Sequence, residues 1–212
     1  LAQVAGDSLA DRTARIVDQV VHIEAVGVAG FGQQLLRTCR IVFGRRNRIG
    51  AGNRGLEAVR LQMLGDLDGL VDFLEKQKRV NAKRIGITGM CRGGRMAWMY
   101  TAHNPRVKAT VAWYGHFSPV PPAMTQTPID VADKISVPVL GLYAEKDAGI
   151  PLDLIDRMKA GLLAFGNDKH VEFKVYAGAP HGFHADYRNT YVKADAEDGW
   201  ARMLAWFKKH GV

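Results

Sequence analysis

Cysteine is almost missing from this chain. Cys39 and Cys91 are the only two among 212 residues, too few for the disulfide framework of a small secreted scaffold, so a reducing, cytoplasmic setting is expected. Long apolar runs are missing too. Arg, Asp, Glu, Lys or Gly interrupts every stretch before the roughly 18 to 20 residues a membrane span needs, and the first residues lack the basic-then-apolar layout of a signal peptide. Neither cysteine has cysteine or histidine neighbours at zinc-site spacing, and no glycine run matches a Walker or dinucleotide fingerprint. Metals and nucleotide cofactors are therefore not expected. Lysine is absent from residues 1–60, where nine arginines against five acids supply half of the formal net charge of +8. The one tight basic cluster, Arg45-Arg46-Asn47-Arg48, with Arg37, Arg40 and Arg54 nearby, has no interleaved aromatics to stack bases. It reads as a solvated loop, so neither nucleic acid nor membrane is an expected partner.

What is present is an ordinary globular composition, 47% hydrophobic and 24% charged, which excludes wholesale disorder and collagen-like or coiled-coil architectures. Up to about residue 60 the periodicity is poor; Val17 to Val28 is apolar but broken by Asp18, Gln19, His22 and Glu24. Beyond it, Leu64, Leu67, Leu70, Val71 and Leu74 recur at three- and four-residue steps and predict a helix from Leu61 to Gln77. Arg84 to Met90 predicts a strand, and Gly93 to Ala102 a helix stopped by Asn104-Pro105. Val107 to Tyr114, Val137 to Ala144 and Val171 to Tyr176 predict three more strands. Helices are predicted from Pro151 to Phe165 and from Val192 to His210, the last with Ala196, Trp200, Met203, Leu204 and Phe207 on one side. Strands alternating with helices indicate the α/β class, a doubly wound, mostly parallel sheet with helices on both faces.

At one strand-to-helix turn stands Gly89-Met90-Cys91-Arg92-Gly93-Gly94. A nucleophile on such an elbow needs small neighbours because strand and helix pass close together. At a helix N-terminus a cysteine gains thiolate character, and the backbone N–H of Arg92 is placed to supply an oxyanion donor. The competing reading is a small buried hydrophobe. Catalytic partners in open parallel sheets gather at the carboxyl ends of the strands. Asp147 follows the third of these strands and His181 the fourth, giving the order nucleophile, acid, histidine of α/β-hydrolases. Glu145 competes with Asp147, which is also a turn former or helix cap, and His184 and His116 compete with His181.

These segments resemble the dienelactone hydrolase (carboxymethylenebutenolidase) family of α/β-hydrolases. The likeness runs from about Leu61 to the C-terminus and rests on Gly-Met-Cys-Arg-Gly-Gly-Arg-Met at 89–96, Val-Ala-Trp-Tyr-Gly at 111–115, the Asp147 loop and His-Gly-Phe at 181–183. The resemblance implies a Cys91, His181, Asp147 triad that hydrolyses a small lactone or activated ester through an acyl-enzyme, without a cofactor. It leaves Arg95, Trp113 and Tyr114 as candidate substrate contacts, with Arg92 either facing an anionic substrate or pointing outward. Residues 1–212 read as a single α/β-hydrolase domain, monomeric or a small homo-oligomer, whose first sixty residues are a divergent or disordered segment. The family's His-Glu-type segment, source of the second oxyanion donor, has no counterpart there beyond Glu24. The arginine the family carries four residues past the histidine is Ala185 here, with Arg188 beyond it. The alternative is a catalytically silent member that binds a small molecule or a protein.

Overall fold

The structure, a computed structural model, describes residues 23–27, 37–40, 53–77, 80–118 and 126–212. In chain order the elements are β1 (Ile23–Gly27), β2 (Arg37–Arg40), α1 (Asn53–Glu75), β3 (Ile85–Met90), α2 (Arg92–His103), β4 (Val107–Trp113), β5 (Val139–Ala144), α3 (Leu152–Ala164), β6 (Val171–Tyr176) and α4 (Lys193–Lys209). They form one six-stranded sheet in the order β2-β1-β3-β4-β5-β6. Strands β3 to β6 run parallel, while β1 is antiparallel to both of its neighbours. The basic cluster at 45–48 and most of the first sixty residues lie outside the described part of the chain.

The strands from β3 onward follow their sequence pattern. β4 and β5 are almost wholly buried, as parallel strands covered on both faces must be. α2 ends where Pro105 forbids continuation; the Asn104 N–H closes the last turn on the Tyr100 carbonyl at 2.8 Å. α3 ends on Gly166, whose φ of +68° lets the amides of Gly166 and Asn167 turn back onto the Leu163 and Leu162 carbonyls at 3.0 and 2.9 Å. α1 begins eight residues before the predicted start at Leu61 and buries Met63, Leu64, Leu67 and Val71.

The helices cover both faces of the sheet. On one face α2 packs through Trp98, whose indole N–H donates to the Tyr143 hydroxyl at 3.0 Å and whose ring stacks on Phe173, centroids 5.9 Å apart. Tyr143 in turn donates to the Gly115 carbonyl at 3.1 Å, fixing the backbone just past β4. On the other face α4 packs over Trp113 and Tyr176. Its buried stripe is Ala196, Gly199, Met203, Trp206 and Phe207, whereas Trp200 and Leu204 are 37% and 38% exposed. The predicted stripe is thus rotated. The Trp113 ring lies where a side chain at 199 would be, with its Cζ3 2.6 Å from the position a Cβ there would take, so the helix approaches through glycine and turns Trp200 outward.

The elbow is built the same way. A Cβ on Gly89 would sit 2.3 Å from the Gly93 carbonyl oxygen, and one on Gly94 2.5 Å from the Trp113 carbonyl oxygen. We therefore predict opposite effects for two alanine substitutions. Gly94→Ala forces backbone apart and should cost about 2 kcal/mol or more, lowering Tm by about 4–8 °C. Gly65→Ala, in a helix interior with nothing within 4 Å of its new methyl, should raise stability by about 1 kcal/mol. Thermal denaturation of the two variants checks both signs.

Candidate active site

Four strand ends converge on one rim. β3 ends in Cys91, β4 in Tyr114 to His116, β5 in the loop carrying Asp147, and β6 in the loop carrying His181. Cys91 has φ 56° and ψ −114°, a backbone conformation that side-chain-bearing residues rarely occupy. It is pinned from both sides: its N–H donates to the Trp113 carbonyl at 2.9 Å, and its own carbonyl accepts from the Arg95 N–H at 3.1 Å. The sulfur projects at the start of α2, where amides without helical partners favour negative charge. Tyr114 is the other non-glycine residue at positive φ, 38°, among the described residues. The turn after β4 brings its buried ring edge-on to His181, centroids 5.0 Å apart.

His181 bridges the nucleophile candidate and the acid. Its Nε2 lies 3.2 Å from Cys91 Sγ, and its Nδ1 donates to Asp147 Oδ2 at 2.5 Å. Asp147 is 3% exposed and its second oxygen accepts the Gly149 N–H at 2.9 Å, so both lone-pair faces are engaged. The loops carrying the two residues are tied together by the Glu145 and Lys146 amides, which donate to the Tyr176 and Ala179 carbonyls at 3.0 and 2.9 Å. Phe183, fully buried against Tyr114 and Tyr176, anchors the segment two residues past the histidine.

The competing residues fall elsewhere. Glu145 is exposed and accepts from the Gly178 N–H at 2.8 Å. His184 sits between Trp113 and Trp200, 4.5 and 5.8 Å from their centroids, and burial pulls its imidazolium below the usual range. His116 does reach the site. One of its ring nitrogens, the Cys91 sulfur and a His181 nitrogen lie within 4.8 Å of one another, and its Nδ1 is 3.2 Å from the Gly149 carbonyl oxygen. The sequence signal for it is the one that served for the others, a histidine just past the carboxyl end of a buried strand.

Of the candidate substrate contacts, Tyr114 borders the rim. Arg95 is 4% exposed and its guanidinium donates to the carbonyls of Ser118 at 2.5 Å, Gln126 at 2.7 Å and His116 at 3.4 Å, so it braces the loop that bears His116. Trp113 is fully buried on the α4 face, its indole N–H donating to Thr88 at 3.2 Å. Arg92 is half-buried, with its amide hydrogen-bonded to the sulfur and its side-chain charge felt there. Glu24 pairs by register with Thr88 on β3, and the segments around β1 and β2, in which a second oxyanion donor was sought, lie outside the described residues.

Charge follows from this geometry. Burial pushes the Cys91 thiol up, but hydrogen bonds from His116 and His181, the His181 charge and the Arg92 amide outweigh it and bring the thiol down to about 6. Burial pulls His181 down, and its hydrogen bonds to Asp147 and Cys91 with their charges push it up to about 9. The two shifts are one interaction seen from both partners. Between these values the sulfur is a thiolate and the imidazole an imidazolium.

The nucleophile elbow, the buried acid and the histidine follow one another in that chain order on this sheet. The profile of the Dienelactone hydrolase family matches residues 44–211. The chain belongs to the dienelactone hydrolase family. A Methylorubrum extorquens protein that carries the name carboxymethylenebutenolidase is 49% identical over 152 residues, 71% of this chain and 52% of the relative. An Escherichia coli K12 protein of the same name is 44% identical over 151 residues, 71% of this chain and 55% of its own length. A solved Klebsiella pneumoniae structure named as a dienelactone hydrolase superposes with a TM-score of 0.67 at 44% identity, covering 71% of this chain and 62% of the other. The acylaminoacyl peptidase of Pyrococcus horikoshii, 20% identical with a TM-score of 0.61 over 75% of this chain and 29% of its own, shares the fold. The chain thus spans about half the length of the curated relatives it matches.

We predict that the alkylation rate of Cys91 by iodoacetamide, followed against pH, has its midpoint near 6. In His181→Ala the midpoint should move up toward the ordinary thiol value of about 8.5, and in Glu145→Gln it should stay in place. An unshifted profile in His181→Ala would show that the imidazole does not control the sulfur.

Proposed function

We propose that this family member is a cysteine-dependent hydrolase of small lactones or activated esters. The observation that carries the reading is the unbroken chain Cys91 Sγ, His181, Asp147, with links of 3.2 and 2.5 Å, set on a strained elbow at a helix N-terminus. Sulfur in this setting is charged before substrate arrives, so no proton needs to leave it during attack.

The thiolate adds to the acyl carbon, and the carbonyl pair moves onto oxygen, where the Arg92 N–H donates to the oxyanion. Collapse breaks the bond to the alkoxy oxygen, which takes the proton from His181 Nε2. With a lactone the opened ring stays attached as a hydroxyacyl thioester. A water then gives its proton to the neutral His181 and adds to the thioester carbon. The second collapse returns the electron pair to sulfur, releases the carboxylic acid and restores the ion pair. Asp147 holds the Nδ1 proton throughout, which keeps Nε2 aimed at sulfur and stabilises the imidazolium. Tyr114 supplies an apolar wall beside the acyl group. The half-buried Arg92 charge suits a substrate that carries its own carboxylate, while Arg95 and Trp113 act through the loop and the strand they brace.

The test is turnover of p-nitrophenyl acetate and of simple enol lactones against pH. We expect kcat/KM to rise as pH passes about 6, where Cys91 ionises, and to fall above about 9, where His181 loses the proton it must give to the leaving group. Cys91→Ala should fall to background, and His181→Ala should lose about 10²- to 10⁴-fold. Turnover no greater than that of Cys91→Ala, in a protein whose Cys91 still alkylates, would overturn the proposal in favour of a silent binding member.

A further inference from the structure

His116 is a second imidazole at a sulfur that already has one, and the reaction above gives it no proton to move. The orientation of the two rings supplies the clue. His181 Nδ1 is held by a carboxylate, Asp147 Oδ2, and His116 Nδ1 lies 3.2 Å from a backbone carbonyl, Gly149 O. With Nδ1 engaged by an oxygen, each ring has Nε2 as the nitrogen left for a cation, and His181 gives up its Nε2 proton when the cation binds. This is how metal-binding histidines are prepared, one nitrogen hydrogen-bonded to a carboxylate or carbonyl and the other presented as the donor. The three donor atoms of Cys91, His116 and His181 lie within 4.8 Å of one another, and all three side chains are partly buried at the rim. Three converging N and S donors are the protein share of a tetrahedral Zn²⁺ site that keeps its fourth position for water.

We propose that Cys91, His116 and His181 bind one thiophilic divalent cation, Zn²⁺, and that its binding reversibly switches the enzyme off. The cation takes the sulfur lone pair and an Nε2 lone pair from each histidine, and the proton shared between Sγ and His181 goes to solvent. Nucleophile and general base are then both committed to the metal. Asp147 and Gly149 remain in place as the outer partners that orient the two rings. Thiolate and imidazole select Zn²⁺ over Mg²⁺ or Ca²⁺, which prefer oxygen donors. Zinc-site spacing is invisible along the chain because the ligands come from the ends of three different strands and meet only in the folded sheet.

The switch rests on the hydrolase reading, but the binding does not, and the experiment separates them. Reduced protein freed of metal by a chelator is titrated with Zn²⁺ alone in competition with a chromophoric chelator, and with Co²⁺ for its spectrum. We expect one equivalent bound, a thiolate-to-cobalt charge-transfer band with tetrahedral ligand-field intensity, and protection of Cys91 from iodoacetamide that a chelator reverses. Cys91→Ala and His116→Ala should each weaken binding at least about tenfold, and His184→Ala, outside the cluster, should not. The cobalt spectrum and the protection assay use the unaltered protein, so a variant that folds poorly does not decide the matter. Absence of the charge-transfer band, or equal affinity in Cys91→Ala, overturns the site. Stoichiometric binding that leaves ester turnover intact overturns the switch. Binding through Cys91 in a protein without turnover supports the site and counts against the hydrolase.

Discussion

The carboxyl ends of β3 and β4 and the first turn of α2 meet at distances that admit no side chain. Gly89 lies against Gly93, and Gly94 against Trp113 and Gly115, at separations where an added methyl would fall inside the backbone of its neighbour. Cys91 is the residue caught in this crossing. Its positive φ follows from the crowding, and the crowding points its sulfur out of the turn toward the rim. The remaining groups can be placed by ordinary means, because loops after β5 and β6 need only reach a residue whose backbone is fixed.

Electrostatics then does at the rim what sterics does at the elbow. A helix start, two imidazoles and an amide oppose the cost of burying a thiolate, and the same thiolate, with Asp147, holds a proton on His181 against the cost of burying an imidazolium. Each ion helps to hold the other. The arrangement also explains the division of labour among nearby residues. Arg95 is close to Cys91 in sequence, yet its guanidinium is taken up by the carbonyls of His116, Ser118 and Gln126 and serves to hold the backbone there.

Much of this was legible along the chain. The four strands from Ile85 onward and the helices between them follow from apolar runs and from punctuation by Pro105, Pro151 and Gly166. The sequence order of Cys91, Asp147 and His181 placed each at the end of a different strand. Two things were not visible. The face of α4 could not be read from its apolar residues, since Gly199 marks the packing slot and leaves no hydrophobic signature. The antiparallel pairing of β1 and β2 was hidden as well, because the Val17 to Val28 stretch alternates poorly and a four-residue edge strand carries little pattern. His116 lay between: its position past β4 was readable, but its approach to the sulfur depends on a loop bent back by Arg95 and Gly149.

The elbow is shaped by main-chain atoms pressing on main-chain atoms, and the side chain at its apex takes no part in those contacts. Address and occupant are therefore independent. A hydroxyl could stand where the sulfur does without disturbing the surrounding framework, and what would change is the chemistry on offer: a group that arrives neutral and must be deprotonated on demand, in place of one held ready as an anion. A scaffold built this way can exchange one reaction style for another through a single codon while its architecture stays constant.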